Sequence, residues 1–254
     1  MSDQQITEIR EQVFNNTVPL RVEIENQPVP FCFNAPRLLS LGVFIHQKLK
    51  SFLPLDQIKN IWFSYNHVPI KWTLPIGVIY DSIVSDDNST FTPLNVKVSF
   101  DKFPNNICLR CESIERAQYY FCHLFKESIF LTDKNQELLT QNEGIHQNIE
   151  NALQTGEFKT YISLFQKRLE KGVENWKRWP IKFVTNEVDE TTPSTITGYL
   201  EVSPDQTIED ILQFREFSNK KAIVQGIEIN HSTKLTEIVP LLINPDGFFY
   251  IVLK

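Results

Sequence analysis

A chain of 254 residues has room for two or three compact units. With 41% hydrophobic residues, 22% charged and a mean hydropathy of −0.24, the composition is that of a folded protein, and 19 Phe can fill more than one core. The net charge of −6 argues against nucleic acid as the main partner, four cysteines are too few for a secreted disulfide scaffold, and no apolar run approaches a membrane span.

The opening residues, Met1-Ser-Asp-Gln-Gln-Ile, lack the charged start and apolar block of a signal peptide, so a cytosolic chain is expected. Ser2 and Gln5 stand at capping-box spacing, and Ile6, Ile9 and Val13 fall on one face, which predicts a short N-terminal helix over 1–14. Leu20, Val22 and Ile24 then alternate with Arg21, Glu23 and Glu25 along a strand. After Pro36, the helical spacing of Leu38, Leu41, Ile45, Leu49 and Phe52 predicts a long helix that runs until Pro54. Ile61–Tyr65 and Val68–Trp72 read as short strands around Asn66-His67. A small helix from Gly77 to Ile83 leads into the alternating strand Leu94–Phe100.

This is the order of a ubiquitin-like β-grasp unit, and it recurs. Ile181-Lys-Phe-Val opens a second set, and Ile196, Gly198, Leu200 and Val202 alternate along its second strand. Thr207 caps a helix with Asp210 three residues on, Ala222–Ile229 repeats the strand–turn–strand, and Phe248–Leu253 closes the sheet. Between the two sets the period changes to helical: Ile114, Ala117, Phe121, Leu124 and Phe125 mark one stripe, and Phe158, Tyr161, Ile162, Phe165 and Leu169 another. Polar residues 131–150 read as helix or loop. The expected architecture is α+β: a helix over 1–14, a ubiquitin-like domain over 15–104, a helix-rich domain over 105–178 and a second ubiquitin-like domain over 179–254.

Most catalytic chemistry finds no motif here. The eight glycines are too dispersed for a phosphate-cradling loop, and no nucleophile elbow, zincin helix or kinase signature occurs, so no cofactor is expected. Cys108-Leu-Arg-Cys111 has a zinc-ligand spacing, but a structural zinc takes two such pairs and one is present; packed or exposed thiols are the expectation, not a metal site. An enzyme reading would need Cys122 or Cys108 as a thioester-forming nucleophile, and Cys122 sits in an aromatic helix that suits packing. Lys167-Arg168, Lys171, Lys177-Arg178 and Lys182 interleave with Trp176 and Trp179. Such a mixture suits a membrane surface, with Lys171, Lys177 and Arg178 as candidate contacts; a solvated helix end with tryptophans packed between lobes is the favoured reading. The last strand runs to Val252-Leu253-Lys254 with no glycine-ended tail, so a ubiquitin-like donor role is not expected in this form. A binding module or an acceptor remains.

Ile61-Trp-Phe-Ser-Tyr followed by Pro69-Ile-Lys-Trp-Thr-Leu-Pro-Ile-Gly77-Val-Ile-Tyr-Asp resembles the most characteristic stretch of the autophagy protein 5 family. Pro36-Arg37, Val96–Phe100, Phe103-Pro104, Gly156-Glu-Phe and Gln225-Gly-Ile-Glu add to the resemblance in the right order. Relatives often carry Trp and Gly where this chain has Phe14-Asn15-Asn16. The resemblance implies a non-catalytic, two-lobed scaffold in autophagosome formation, covalently conjugated by an isopeptide bond to the ubiquitin-like autophagy protein 12. It places the acceptor at Lys126 in Leu124-Phe-Lys-Glu-Ser, where relatives often have Ala in place of Ser128. It also implies a transient contact with the autophagy conjugating enzyme and a groove for the N-terminal helix of autophagy protein 16. The assembled complex would promote lipidation of autophagy protein 8, working in the cytoplasm and peripherally at the preautophagosomal membrane. Arg37 is the candidate for pairing with an acidic partner residue. Helix geometry bears on Lys126 independently: at 100° per residue it lies about 130° from the centre of the apolar stripe, which directs its amine to solvent. The alternative is a non-conjugated adaptor with two ubiquitin-like binding domains.

Overall fold

The computed structural model describes residues 2–50, 52–53, 59, 61–84, 92–100, 102–105, 108–134, 139, 144–169, 172–185 and 194–254, the side chains of 194–199 apart. Helix α1 (Asp3–Asn15) begins at the expected capping box, with Ser2 and Gln5 each accepting from the other's backbone. Strands β1 (Thr17–Ile24) and β2 (Phe31–Pro36) pair antiparallel. Helix α2 (Leu41–Leu49), β3 (Trp62–Tyr65), β4 (Val68–Pro69), α3 (Ile76–Ile83) and β5 (Leu94–Ser99) complete the first lobe. Its sheet order is β2-β1-β5-β3-β4, with β1 and β5 parallel at the centre.

Among the described residues α4 (Ile114–Leu131), α5 (Gly144–Thr155) and α6 (Phe158–Leu169) follow. The second lobe comprises β6 (Arg178–Thr185), β7 (Ser194–Glu201), α7 (Ile208–Phe214), β8 (Ala222–Val224), β9 (Ile227–Glu228), α8 (Leu235–Leu242) and β10 (Phe249–Leu253). Its order, β7-β6-β10-β8-β9, repeats the first. The likeness extends to detail. Positive φ angles at Asn66 and His67 turn β3 into β4, and at Gln225 and Gly226 turn β8 into β9, the backbone that a tight hairpin needs. An isolated bridge ties the residue before the long helix to the segment before the short one in both lobes: Ser40 to Pro75, and Thr207 to Lys234.

That bridge corrects the first lobe's helix. The spacing predicts a start near Leu38, but the Leu39 carbonyl accepts from Ile76 N (2.9 Å) and Leu41 N donates to Leu74 O (3.3 Å). These bonds hold Ser40 extended, so α2 starts at Leu41 with Ser40 as its cap, while Leu38 and Leu39 stay buried in the bend before it. Val68–Trp72 likewise shortens to a two-residue strand, because beyond Pro69 the chain turns to seat Trp72 against Leu109, whose carbonyl accepts from Nε1 at 2.7 Å. In α1, Ile6, Ile9 and Val13 remain partly exposed and Phe14 is the buried residue, against Phe158 and Tyr161. Arg10 Nε donates to Pro240 O at 3.1 Å, which docks the N-terminal helix on the second lobe.

Every residue of β10 is buried. One face of this strand meets the second lobe's core and the other packs against α3 of the first. A parallel central strand covered on both sides reads as a continuous apolar run, Phe-Tyr-Ile-Val-Leu. Each fully buried side chain of this kind contributes about 1.5–3 kcal/mol. Trp176 and Trp179 are buried edge-to-face at 6.1 Å and are absent from the surface. The mixed basic–aromatic surface suggested by their spacing does not form; Lys177 and Arg178 are exposed without them, and Lys171 lies outside the described residues.

Candidate functional site

Ser113 caps α4, its hydroxyl accepting from Arg116 N at 3.2 Å. The helix then buries Ala117, Phe121, Cys122, Leu124, Phe125, Ser128 and Ile129. Its opposite face is open: Tyr119 is 57% and Phe130 58% exposed, and Arg116, His123 and Glu127 are exposed with them. Lys126 lies on this open face and is half-buried. Among the described residues it forms no ion pair and no hydrogen bond.

The helix is held at its C-terminal end by Arg168 of α6, which is 1% exposed. Its guanidinium donates to Ser128 O (3.3 Å) and to Thr132 Oγ1, lies 3.6 Å from Asp133 Oδ1, and stacks 4.6 Å from the Trp176 ring centre. Burial pulls its pKa down to about 10, opposed by Asp133, so it remains a cation at a helix C-terminus where the backbone dipole favours one. Arg168 reads in sequence as one more member of a basic stretch. The available signal was its register: Tyr161, Phe165 and Arg168 share one side of α6, and all three are buried.

On its other flank α4 meets the second lobe. Asp246 is buried and accepts from Tyr250 Oη (2.7 Å) and Phe248 N (3.0 Å). Desolvation pushes its carboxyl up, opposed by Lys182, whose Nζ lies 3.6 Å from the Phe248 ring centre and whose own pKa burial lowers. Gly247 (φ +80°) sits directly against Ser128 of α4. Toward the first lobe, Trp72, Leu109, Arg116, Tyr119, Tyr120 and His123 border an open cleft of about 470 Å³.

Arg37 lies apart from α4; it is 5% exposed and paired within the chain to Asp81. Burial works against thiolate chemistry at the three cysteines near α4: Cys122 is 7% exposed, burial raises the Cys108 thiol, and Cys111 is pushed up to about 12. Among the described residues no group of three His, Cys, Asp or Glu side chains is arranged to hold a metal.

Two domain models of one family match the chain: "Autophagy protein ATG5, UblA domain" over residues 13–100 and "Autophagy protein ATG5, UblB domain" over residues 132–253. The chain belongs to the autophagy protein 5 family. Its role therefore lies in autophagy. Autophagy protein 5 of Drosophila melanogaster is 22% identical over 258 residues, covering 91% of this chain and 95% of the fly protein. The Saccharomyces cerevisiae protein is 27% identical over 244 residues, 85% of this chain and 81% of its own. Rice autophagy protein 5 is 29% identical over 140 residues, and the match spans only 36% of that protein's length. The crystal structure of Kluyveromyces marxianus Atg5 superposes with a TM-score of 0.81 over 97% of this chain and 99% of that one, at 19% identity. That likeness concerns the fold: two ubiquitin-like lobes around a helical centre.

Proposed function

We propose that this chain is a non-catalytic autophagy scaffold, conjugated through Lys126 to the ubiquitin-like autophagy protein 12. The observation that carries the reading is the setting of Lys126: an amine without an ion pair or hydrogen bond among the described residues, on the open face of a helix whose far side and C-terminal end are fixed by buried contacts. An acceptor must bring its nitrogen to a thioester carbonyl held by another protein, which calls for an accessible amine on a rigid support. In the same reading the conjugate binds the N-terminal helix of autophagy protein 16 and promotes lipidation of autophagy protein 8. It works from the cytoplasm at the preautophagosomal membrane, where Lys177 and Arg178 are exposed cations available to anionic lipid.

Lys126→Arg keeps the charge and the helix propensity but supplies no reactive amine. Intact-mass measurement of the protein from cells should show the adduct on wild type, mapped to Lys126, and none on the variant, with an unchanged thermal melt. Undiminished adduct on Lys126→Arg would overturn the acceptor assignment, and absence of any adduct on wild type would favour the non-conjugated adaptor.

A further inference from the structure

An ordinary lysine amine is protonated in all but about one molecule in a thousand near pH 7.4, and an ammonium has no lone pair with which to attack. The acceptor therefore has to lose a proton to something nearby. The open face of α4 carries one candidate. His123 precedes Lys126 by three residues, so both project from the same side of the helix with Cβ atoms about 5–6 Å apart. The alternatives on that face are unsuitable or badly placed. Tyr119 is a phenol, Arg116 a permanent cation, and Glu127 lies about 100° around the helix from Lys126.

His123 is exposed, and its ring packs edge-on to Tyr119 with centres 4.3 Å apart. That contact restrains the imidazole, and the ring borders the 470 Å³ cleft that opens beside the acceptor face. An imidazole nitrogen carries a lone pair that can take up a proton, and histidine is the side chain most often used as a general base. When a thioester-bearing enzyme covers this face, water is displaced from the lysine, and a proton acceptor already on the helix becomes the one at hand.

We propose that His123 is the proton acceptor for Lys126 in the conjugation step, a proposal that rests on the acceptor reading of Lys126. The ammonium passes a proton to an imidazole nitrogen. The neutral amine then attacks the thioester carbonyl, the C–N bond forms as the C–S bond breaks, and the second proton lost by nitrogen goes to the departing enzyme thiolate. The imidazolium afterwards releases its proton to solvent. No oxidant, metal or further reactant enters.

The test uses the full chain and a conjugating enzyme preloaded with autophagy protein 12 as the thioester, followed in single turnover from pH 6.5 to 9.5. His123→Gln should slow adduct formation at pH 7 by about a hundredfold, the ordinary scale of a lost general base. The gap should narrow as the pH rises toward 9.5, where hydroxide increasingly replaces the missing base, and imidazole added to His123→Ala should restore part of the rate. A His123→Gln rate within twofold of wild type at pH 7 would overturn the proposal. So would a deficit of the same size at every pH with no imidazole rescue, which marks a packing role. Lys126→Arg run alongside separates the two claims: full adduct on that variant removes the acceptor reading, whereas no adduct on it with a normal His123→Gln rate removes only the role of His123.

Discussion

Arg37 and Asp81 form an ion pair in which each side chain is 6% exposed, and the guanidinium that makes it lies in a slot between Gly77 of the first lobe and Gly226 of the second. A Cβ on Gly77 would meet Arg37 Nε at 2.9 Å, and one on Gly226 would meet its Nη2 at 3.2 Å. The pair thus ties α3 to the β8–β9 turn across the lobe boundary, and Lys254 Nζ, bonded to Val84 O, reinforces it. Pro36-Arg37, Ile76-Gly77 and Gln225-Gly226, far apart in the chain, meet at this point.

Breaking the pair leaves a buried charge without a partner. Arg37→Ala or Asp81→Asn should lower stability by about 3–5 kcal/mol in denaturant titration, the usual cost of removing one member of a buried pair. Faster amide exchange in β8 and β10 than in β1 would locate the loss at the lobe boundary. A change below about 1 kcal/mol would show that the pair contributes little.

Gly247→Ala tests the seam between α4 and the second lobe. The site has φ +80°, and an added Cβ would overlap Ser128 Oγ. The variant should lose about 2–4 kcal/mol from backbone strain and overpacking together. Ser128→Ala removes the overlapping oxygen, so the double variant should be less destabilised than the sum by about 0.5–3 kcal/mol. Strict additivity in a double-mutant cycle would refute the contact.

Glu150 of α5 is 1% exposed, with neither carboxylate oxygen in a well-formed hydrogen bond. Burial raises its pKa to about 8, opposed in part by Gln118 of α4. The sign follows from proton binding. Between its ordinary value of 4.5 and about 8, the folded chain holds a proton that the unfolded chain has released. Glu150 therefore favours folding fully below pH 4.5, and that contribution is lost as pH rises to about 8, by up to about 1.4 kcal/mol per unit. Melts at pH 5, 6, 7 and 8 should show this decline in wild type and a flatter profile in Glu150→Gln. Equal slopes would dismiss the group as the source.

The second lobe should not fold by itself. A fragment of residues 178–254 leaves β10 without α3, α8 without α1, and Asp246 without the helical centre. Circular dichroism on heating should show no cooperative transition near that of the full chain. A sharp two-state melt there would count against integration of the lobes.

The local devices of the fold could be read from neighbouring residues, because they are made by neighbouring residues. The capping boxes at Ser2–Gln5 and Thr207–Asp210, the alternating strands β1 and β5 and the apolar stripe of α4 all lie where periodicity puts them, while the side chains of 194–199 in β7 lie outside the described residues. The same spacing put Lys126 on the open side of its helix, since a 3.6-residue period needs no tertiary information; its selection among Lys126, Lys134 and Lys159 came from family resemblance. What needed the tertiary structure were contacts between residues distant in the chain. Ser40's bridge to Pro75 shortened α2, and α1, read in sequence only as a short amphipathic helix, docks on the second lobe through Arg10 and the Pro240 carbonyl. Arg37 and Arg168 are both cations whose composition suggests a surface. Each is buried because a carboxylate from another element, Asp81 or Asp133, offsets part of its desolvation. Whether an arginine faces water or a partner in the core depends on what the fold brings opposite it, and no window of neighbouring residues contains that.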